Sequence, residues 1–128
     1  GMGTIAMPVR VAIRRLREKG KKIGFLRIKF FRPFATEEVR RALGGCKAVC
    51  VIDRDYSFGS PSFAGVLFNE LRSVMYPVEK RPLMLNFIAG LGGREIHVRD
   101  VNEMVDTVQK AVETGRIEQE CTWIGVRE

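Results

Sequence analysis

The stretch KAVCVIDRDYSFG, residues 47–59, decides the fold. Ala48 to Ile52 is an unbroken apolar run of β-formers, the pattern of a parallel strand covered on both faces. It stops at Asp53-Arg54-Asp55, and a turn-rich loop follows through Gly59-Ser60-Pro61. A second such run, Leu83 to Ala89, ends at Gly90-Leu91-Gly92-Gly93. Between the two, Phe63, Val66, Leu67, Leu71 and Val74 keep helical spacing. Pro77 and Pro82 bracket the return loop. The unit therefore reads strand, helix, strand.

The flanks repeat the alternation. Toward the N-terminus, Ala6, Val9, Ile13 and Leu16 share one helix face, and Arg10, Arg14 and Arg17 another. Pro8 fits the first turn of that helix and Gly20 its stop. Lys22 to Phe30 reads as a strand, with Leu26, Ile28 and Phe30 on one face and Arg27 and Lys29 on the other. Arg32-Pro33-Phe34 breaks it. Thr36 is then an N-cap expectation, with Glu37 and Glu38 favouring the first turn and Val39, Ala42 and Leu43 its buried side. Toward the C-terminus, Asp100 is a cap candidate with Glu103 three residues on. Val101, Met104, Val105, Val108 and Val112 give the apolar stripe, and Gly115 closes the helix. Trp123-Ile124-Gly125-Val126 reads as a final short strand. Helices and strands in this order predict one α/β domain over residues 1–128, a three-layer α/β/α open sheet, mostly parallel.

Composition narrows the function classes. With 128 residues, 45% of them hydrophobic, the chain has enough apolar surface for a core. Its three Cys are odd in number and lack a C-x-x-C pair, which suits free thiols in a reducing compartment. Cys50 lies in an apolar run and reads as a small core residue. The lone His97 has no partner at ligand spacing, so no metal site is expected. An iron–sulfur cluster usually takes four Cys, so this chain alone is not expected to hold one. No apolar stretch approaches the ~20 residues of a membrane span. The expected setting is soluble and cytoplasmic. Gly1 before Met2 looks like an expression scar and is set aside at this stage.

Charge is uneven. Net charge is +7, yet residues 1–32 carry ten Lys/Arg against Glu18 alone. Such asymmetry suits an acidic partner, a phosphate-bearing ligand or nucleic acid, or else a solvated helix face.

Ligands and partners of open α/β sheets meet the carboxyl ends of the strands. Three ends are legible: Phe31 to Phe34, Asp53 to Gly59, and Gly90 to Arg94. Gly90-Leu91-Gly92-Gly93 invites comparison with a phosphate cradle, but the dinucleotide fingerprint places its third Gly where Glu95 stands. A tight turn that lets a neighbouring chain pack closely is the alternative. Asp53-Arg54-Asp55 offers two carboxylates and a cation, with no nearby nucleophile or His to complete a catalytic set. Arg32, fixed by Pro33, suits a bidentate contact to a carboxylate on another chain, or lies as a surface Arg over Phe34.

Four stretches in order carry a family resemblance: Arg32-Pro33-Phe34, Val51 to Gly59, Asn86 to Arg94, and the closing Trp123-Ile124-Gly125-Val126. Together they resemble the α chain of pyruvate:ferredoxin oxidoreductases, in a domain similar to the carboxy-terminal domain of transketolases. The resemblance implies an enzyme that oxidatively decarboxylates a 2-oxoacid, pyruvate in the first instance, to an acyl-CoA while reducing ferredoxin. It implies thiamine diphosphate, iron–sulfur clusters and coenzyme A for the full enzyme, with none of them bound by this chain alone. The domain's implied role is non-catalytic contact with other subunits, ferredoxin being met only indirectly. Arg32, Asp53, Arg54, Gly92, Gly93 and Arg94 are the expected docking edge. Two departures stand out. Ala35 replaces the Pro that usually follows Arg-Pro-Phe, and the large thiamine-domain portion is not in this sequence. An edge strand ahead of the first helix is also expected to be missing, which would expose backbone and promote self-association. The competing readings are a basic nucleic-acid-binding domain, which is disfavoured, and a small CoA- or nucleotide-binding module using Gly90 to Gly93.

Overall fold

The computed structural model describes residues 1–126. Its sheet has three parallel strands in the order β1 (Ala48–Asp53), β2 (Leu83–Ala89), β3 (Cys121–Ile124). Val51 stands opposite Asn86, and Asn86 opposite Cys121. The helices are α1 (Ala6–Glu18), α2 (Thr36–Leu43), α3 (Val66–Met75) and α4 (Val98–Thr114).

Alternate strand residues feed two cores, which makes the fold a three-layer α/β/α open sheet. On one face Val9 and Ala12 of α1 and Val101 and Met104 of α4 pack on Ile52, Leu85 and Phe87. On the other, Val39 and Leu43 of α2 and Leu67, Phe68 and Leu71 of α3 pack around Val51. Phe68, Phe87 and Met104 are each at most 1% exposed, and each is worth ~2–3 kcal/mol of apolar burial.

Several boundaries differ from the sequence reading. Thr36 is the first residue of α2 rather than its cap, which is Ala35. Phe63 lies outside α3, with φ +48° and 65% exposure, because Gly65 forms the cap and starts the helix at Val66. Asp100 sits one turn inside α4, where its carboxylate accepts from the His97 backbone N–H at 2.7 Å. The last strand is Cys121–Ile124, not Trp123–Val126, since Gly125 turns the chain at φ +71°.

The largest difference lies at Lys22 to Phe30, which forms no ladder strand. Its one bridge is parallel, between Met2 and Ile28. The Ile28 N–H donates to the Gly1 carbonyl at 3.0 Å, and the Gly1 amino group donates to the Leu26 carbonyl at 3.2 Å. Gly1 therefore takes part in the fold. A Cβ built on Gly1 would lie 3.4 Å from the Ile52 carbonyl oxygen of β1. Residues 1–2 run between Leu26–Ile28 and the Ile52 end of β1. Lys22–Phe30 has only that two-residue partner to pair with, and the strand does not propagate.

Candidate functional site

The carboxyl ends of β1 and β2 meet the N-terminus of α3 in a buried polar knot. The Asp53 side chain accepts from the backbone N–H groups of Leu67 (3.0 Å) and Phe68 (3.2 Å). Asn86 donates to Asp53 Oδ2 at 2.8 Å and to the Val51 carbonyl at 3.2 Å, and accepts from the Gly65 N–H at 2.9 Å. Asp53 is 3% exposed and Asn86 fully buried. The Asp53 carboxylate thus satisfies the orphan donors of a helix start and complements its dipole. Burial raises its pKa, with the nearby Asp55 adding to the rise, while the hydrogen bonds from Leu67, Asn86 and Phe68 oppose it. A side chain at position 65 would drive into the Asp53 carboxylate, so Gly is required there.

Around this knot lies an exposed rim. Arg54 donates to Thr4 Oγ1 at 2.7 Å and to the Gly90 carbonyl at 3.2 Å, tying the turn before α1 to the end of β2. Arg94 donates to the Gly125 carbonyl. Gly92 and Gly93 take φ +65° and +80° with open space where a side chain would stand. Tyr56 packs against Phe58 (ring centroids 4.7 Å apart) and against Trp123 (5.1 Å). Phe58 is 89% exposed.

Of the six expected docking residues, Arg54, Gly92, Gly93 and Arg94 come together at this rim. Asp53 faces inward. Arg32 is held on the α3 side by Glu70 at 2.9 Å, with its guanidinium 4.3 Å over the Phe31 ring. Glu70, Asn86 and the Tyr56–Phe58–Trp123 cluster were missed in the sequence. Asn86 carried a signal, being the one polar residue in the apolar run LMLNFIA.

Iron–sulfur ligation does not fit the thiols here. Cys46 is exposed and Cys50 and Cys121 stand on different strands. Burial pushes the Cys50 thiol up to about 12 and also raises Cys121, against thiolate formation. Among the described residues no group of three His, Cys, Asp or Glu could hold a metal ion. Among the described residues no helix is long and apolar enough to cross a membrane. A separate open groove of about 840 Å³ is lined by Arg10, Arg14, Arg17, Arg27 and one acidic residue, Glu18, with Ile13 and Phe25 beside them. None of these four arginines has an ion-pair partner among the described residues.

Residues 1–101 match the family model of pyruvate:ferredoxin oxidoreductase core domain II. The chain belongs to that family. It is 37% identical over 123 residues to the ketoisovalerate oxidoreductase subunit VorA of Pyrococcus furiosus, covering 96% of this chain and 30% of that one. It is 33% identical over 127 residues to the pyruvate synthase subunit PorA of Thermotoga maritima, covering 99% of this chain and 31% of that one. This core domain II chain therefore spans about three tenths of the length of these curated relatives.

Proposed function

We propose that this domain is the non-catalytic, chain-pairing part of a 2-oxoacid:ferredoxin oxidoreductase. The assembled enzyme would decarboxylate a 2-oxoacid oxidatively to an acyl-CoA and reduce ferredoxin. Thiamine diphosphate, iron–sulfur clusters and coenzyme A would be bound outside this domain. Pyruvate is one substrate candidate. The higher identity to the ketoisovalerate subunits makes a branched 2-oxoacid the other.

One observation carries the docking role. The aromatic cluster of Tyr56, Phe58 and Trp123 stands at the strand ends, with Phe58 almost fully in solvent. A cluster of aromatics with an exposed member is typical of an interface anchor. Arg32, Gly92, Gly93 and the inward-facing Asp53 complete the proposed edge, Asp53 by holding α3 and its preceding loop. The arginine groove on α1 would meet acidic surface on the same or another subunit. Self-association through the exposed sheet edge is the competing reading.

The test is anaerobic co-expression of the oxidoreductase subunits with wild-type or Phe58→Ser chain. Assembly should fall with Phe58→Ser while its melting temperature stays near wild type. Normal assembly with this variant would remove the rim from the docking role. A DNA- or RNA-bound chain released by moderate salt would favour the nucleic-acid reading instead.

A further inference from the structure

Charge and apolar surface meet in one groove, none of whose lining residues belongs to the aromatic rim. Arg10, Ile13, Arg14 and Arg17 fall at i, i+3, i+4 and i+7 of α1, so they form one stripe along the helix. That stripe runs for about 10 Å at the helical rise of about 1.5 Å per residue. Phe25 and Arg27, from the segment after α1, line the same groove. Ile13 and Phe25 are partly buried against the α1/α4 core, which gives the groove an apolar floor. All four arginines are exposed. Glu18, the acidic lining residue, makes no ion pair with them among the described residues. Like charges three and four residues apart, as at Arg14–Arg17 and Arg10–Arg14, disfavour the helix on its own. Lys21, just beyond α1, is by contrast held by Asp106 and Gln109.

We propose that this groove takes an acidic amphipathic helix of a partner protein, with carboxylates at i, i+4 and i+7 and an apolar side chain at i+3. Such a helix repeats the spacing of α1 with the opposite charge. Its three carboxylates reach Arg10, Arg14 and Arg17 while its apolar group lies on Ile13 and Phe25. Arg27 adds a cation from outside α1. The planar guanidinium forks suit carboxylates, which they can hold through paired hydrogen bonds. A nucleic-acid backbone would supply the charge but nothing for the apolar floor. Phe25 packs on the core rather than standing free for bases to stack on. The proposal gives a chemistry to the acidic surface assigned to this groove above and rests on that docking reading, but on none of the residues of the rim.

The probe is a capped helical peptide of about 15 residues with Glu at i, i+4 and i+7 and Leu at i+3 on one face. Its controls are the same residues reordered so that the Glu side chains scatter round the helix, the same peptide with Ser in place of Leu, and an oligo-dT strand. Binding to the 128-residue chain is read by fluorescence anisotropy. The variants are Arg10→Glu/Arg14→Glu/Arg17→Glu and the milder Arg14→Gln/Arg17→Gln, with melting temperature and solution mass taken for each. The probe should bind wild type about tenfold or more tighter than either control peptide or the oligonucleotide. It should weaken about tenfold or more in the charge-reversed chain, with the melting temperature kept. Should that chain fail to fold, a clear loss in the folded Arg14→Gln/Arg17→Gln chain supports the proposal and unchanged binding there overturns it. Equal binding of the ordered and reordered peptides would overturn it, as would no binding of the probe or tighter binding of the oligonucleotide. So would a wild-type dimer that the charge reversal splits, since the occupant would then be a second copy. Assembly that still depends on Phe58 while the probe fails to bind would sink this proposal alone, and probe binding with normal assembly of Phe58→Ser would sink the rim alone.

Discussion

Gly65 is a residue whose role rests on contact, not backbone freedom. Its φ of −73° suits any residue, yet a side chain there meets the Asp53 carboxylate. Gly65→Ala should cost about 3 kcal/mol, seen as a lower urea midpoint with an unchanged slope. Asn86→Leu removes a donor to Asp53 and to the Val51 carbonyl, and an acceptor for the Gly65 N–H. It should cost a similar amount, about 2–4 kcal/mol, because the Asp53 charge stays buried with less support. The Gly1 amino group adds a pH dependence. Burial puts its folded pKa below the ordinary 8.0. Its protonated form thus disfavours folding, so stability is highest above pH 8 and is lost as pH falls through the folded pKa. Acetylating Gly1 should flatten that slope, measured as melting temperature between pH 6 and 9. An unchanged slope after acetylation would assign it to other groups.

At the scale of elements, buried parallel strands were readable because both faces are covered. AVCVI is a continuous apolar run and LMLNFIA is broken only by Asn86, and β1 and β2 fall where those runs lie. Helices α1 and α4 were equally plain from their apolar stripes. The N-terminal boundaries of α2, α3 and α4 were less so. Capping by Ala35, Gly65 and His97 depends on where the chain enters, which periodicity does not encode. The failure at Lys22–Phe30 has another cause. Alternation of Leu26, Ile28 and Phe30 suits a strand, but a strand exists only with a partner along its length. Here the partner is two residues long. Phe30 is correspondingly 75% exposed.

At the scale of the whole molecule, the six residues proposed for docking separate by what they touch. Arg54 and Arg94 hold the rim together through Gly90 and Gly125 while standing exposed at it. Asp53 is internal, and Arg32 belongs to the α3 side. Spacing along the chain could not separate these roles, because each depends on contacts made across the fold. Arg94→Ala should weaken assembly about tenfold with a small change in stability. We propose that this domain joins chains of a 2-oxoacid:ferredoxin oxidoreductase. The most direct measurement is anaerobic affinity capture with this chain from its own cells, wild type beside Phe58→Ser, with captured proteins identified by mass spectrometry. Thiamine-binding and iron–sulfur chains of the oxidoreductase should come down together with wild type and drop away with Phe58→Ser. Capture of nucleic acid alone, or of those chains equally by both proteins, would contradict it.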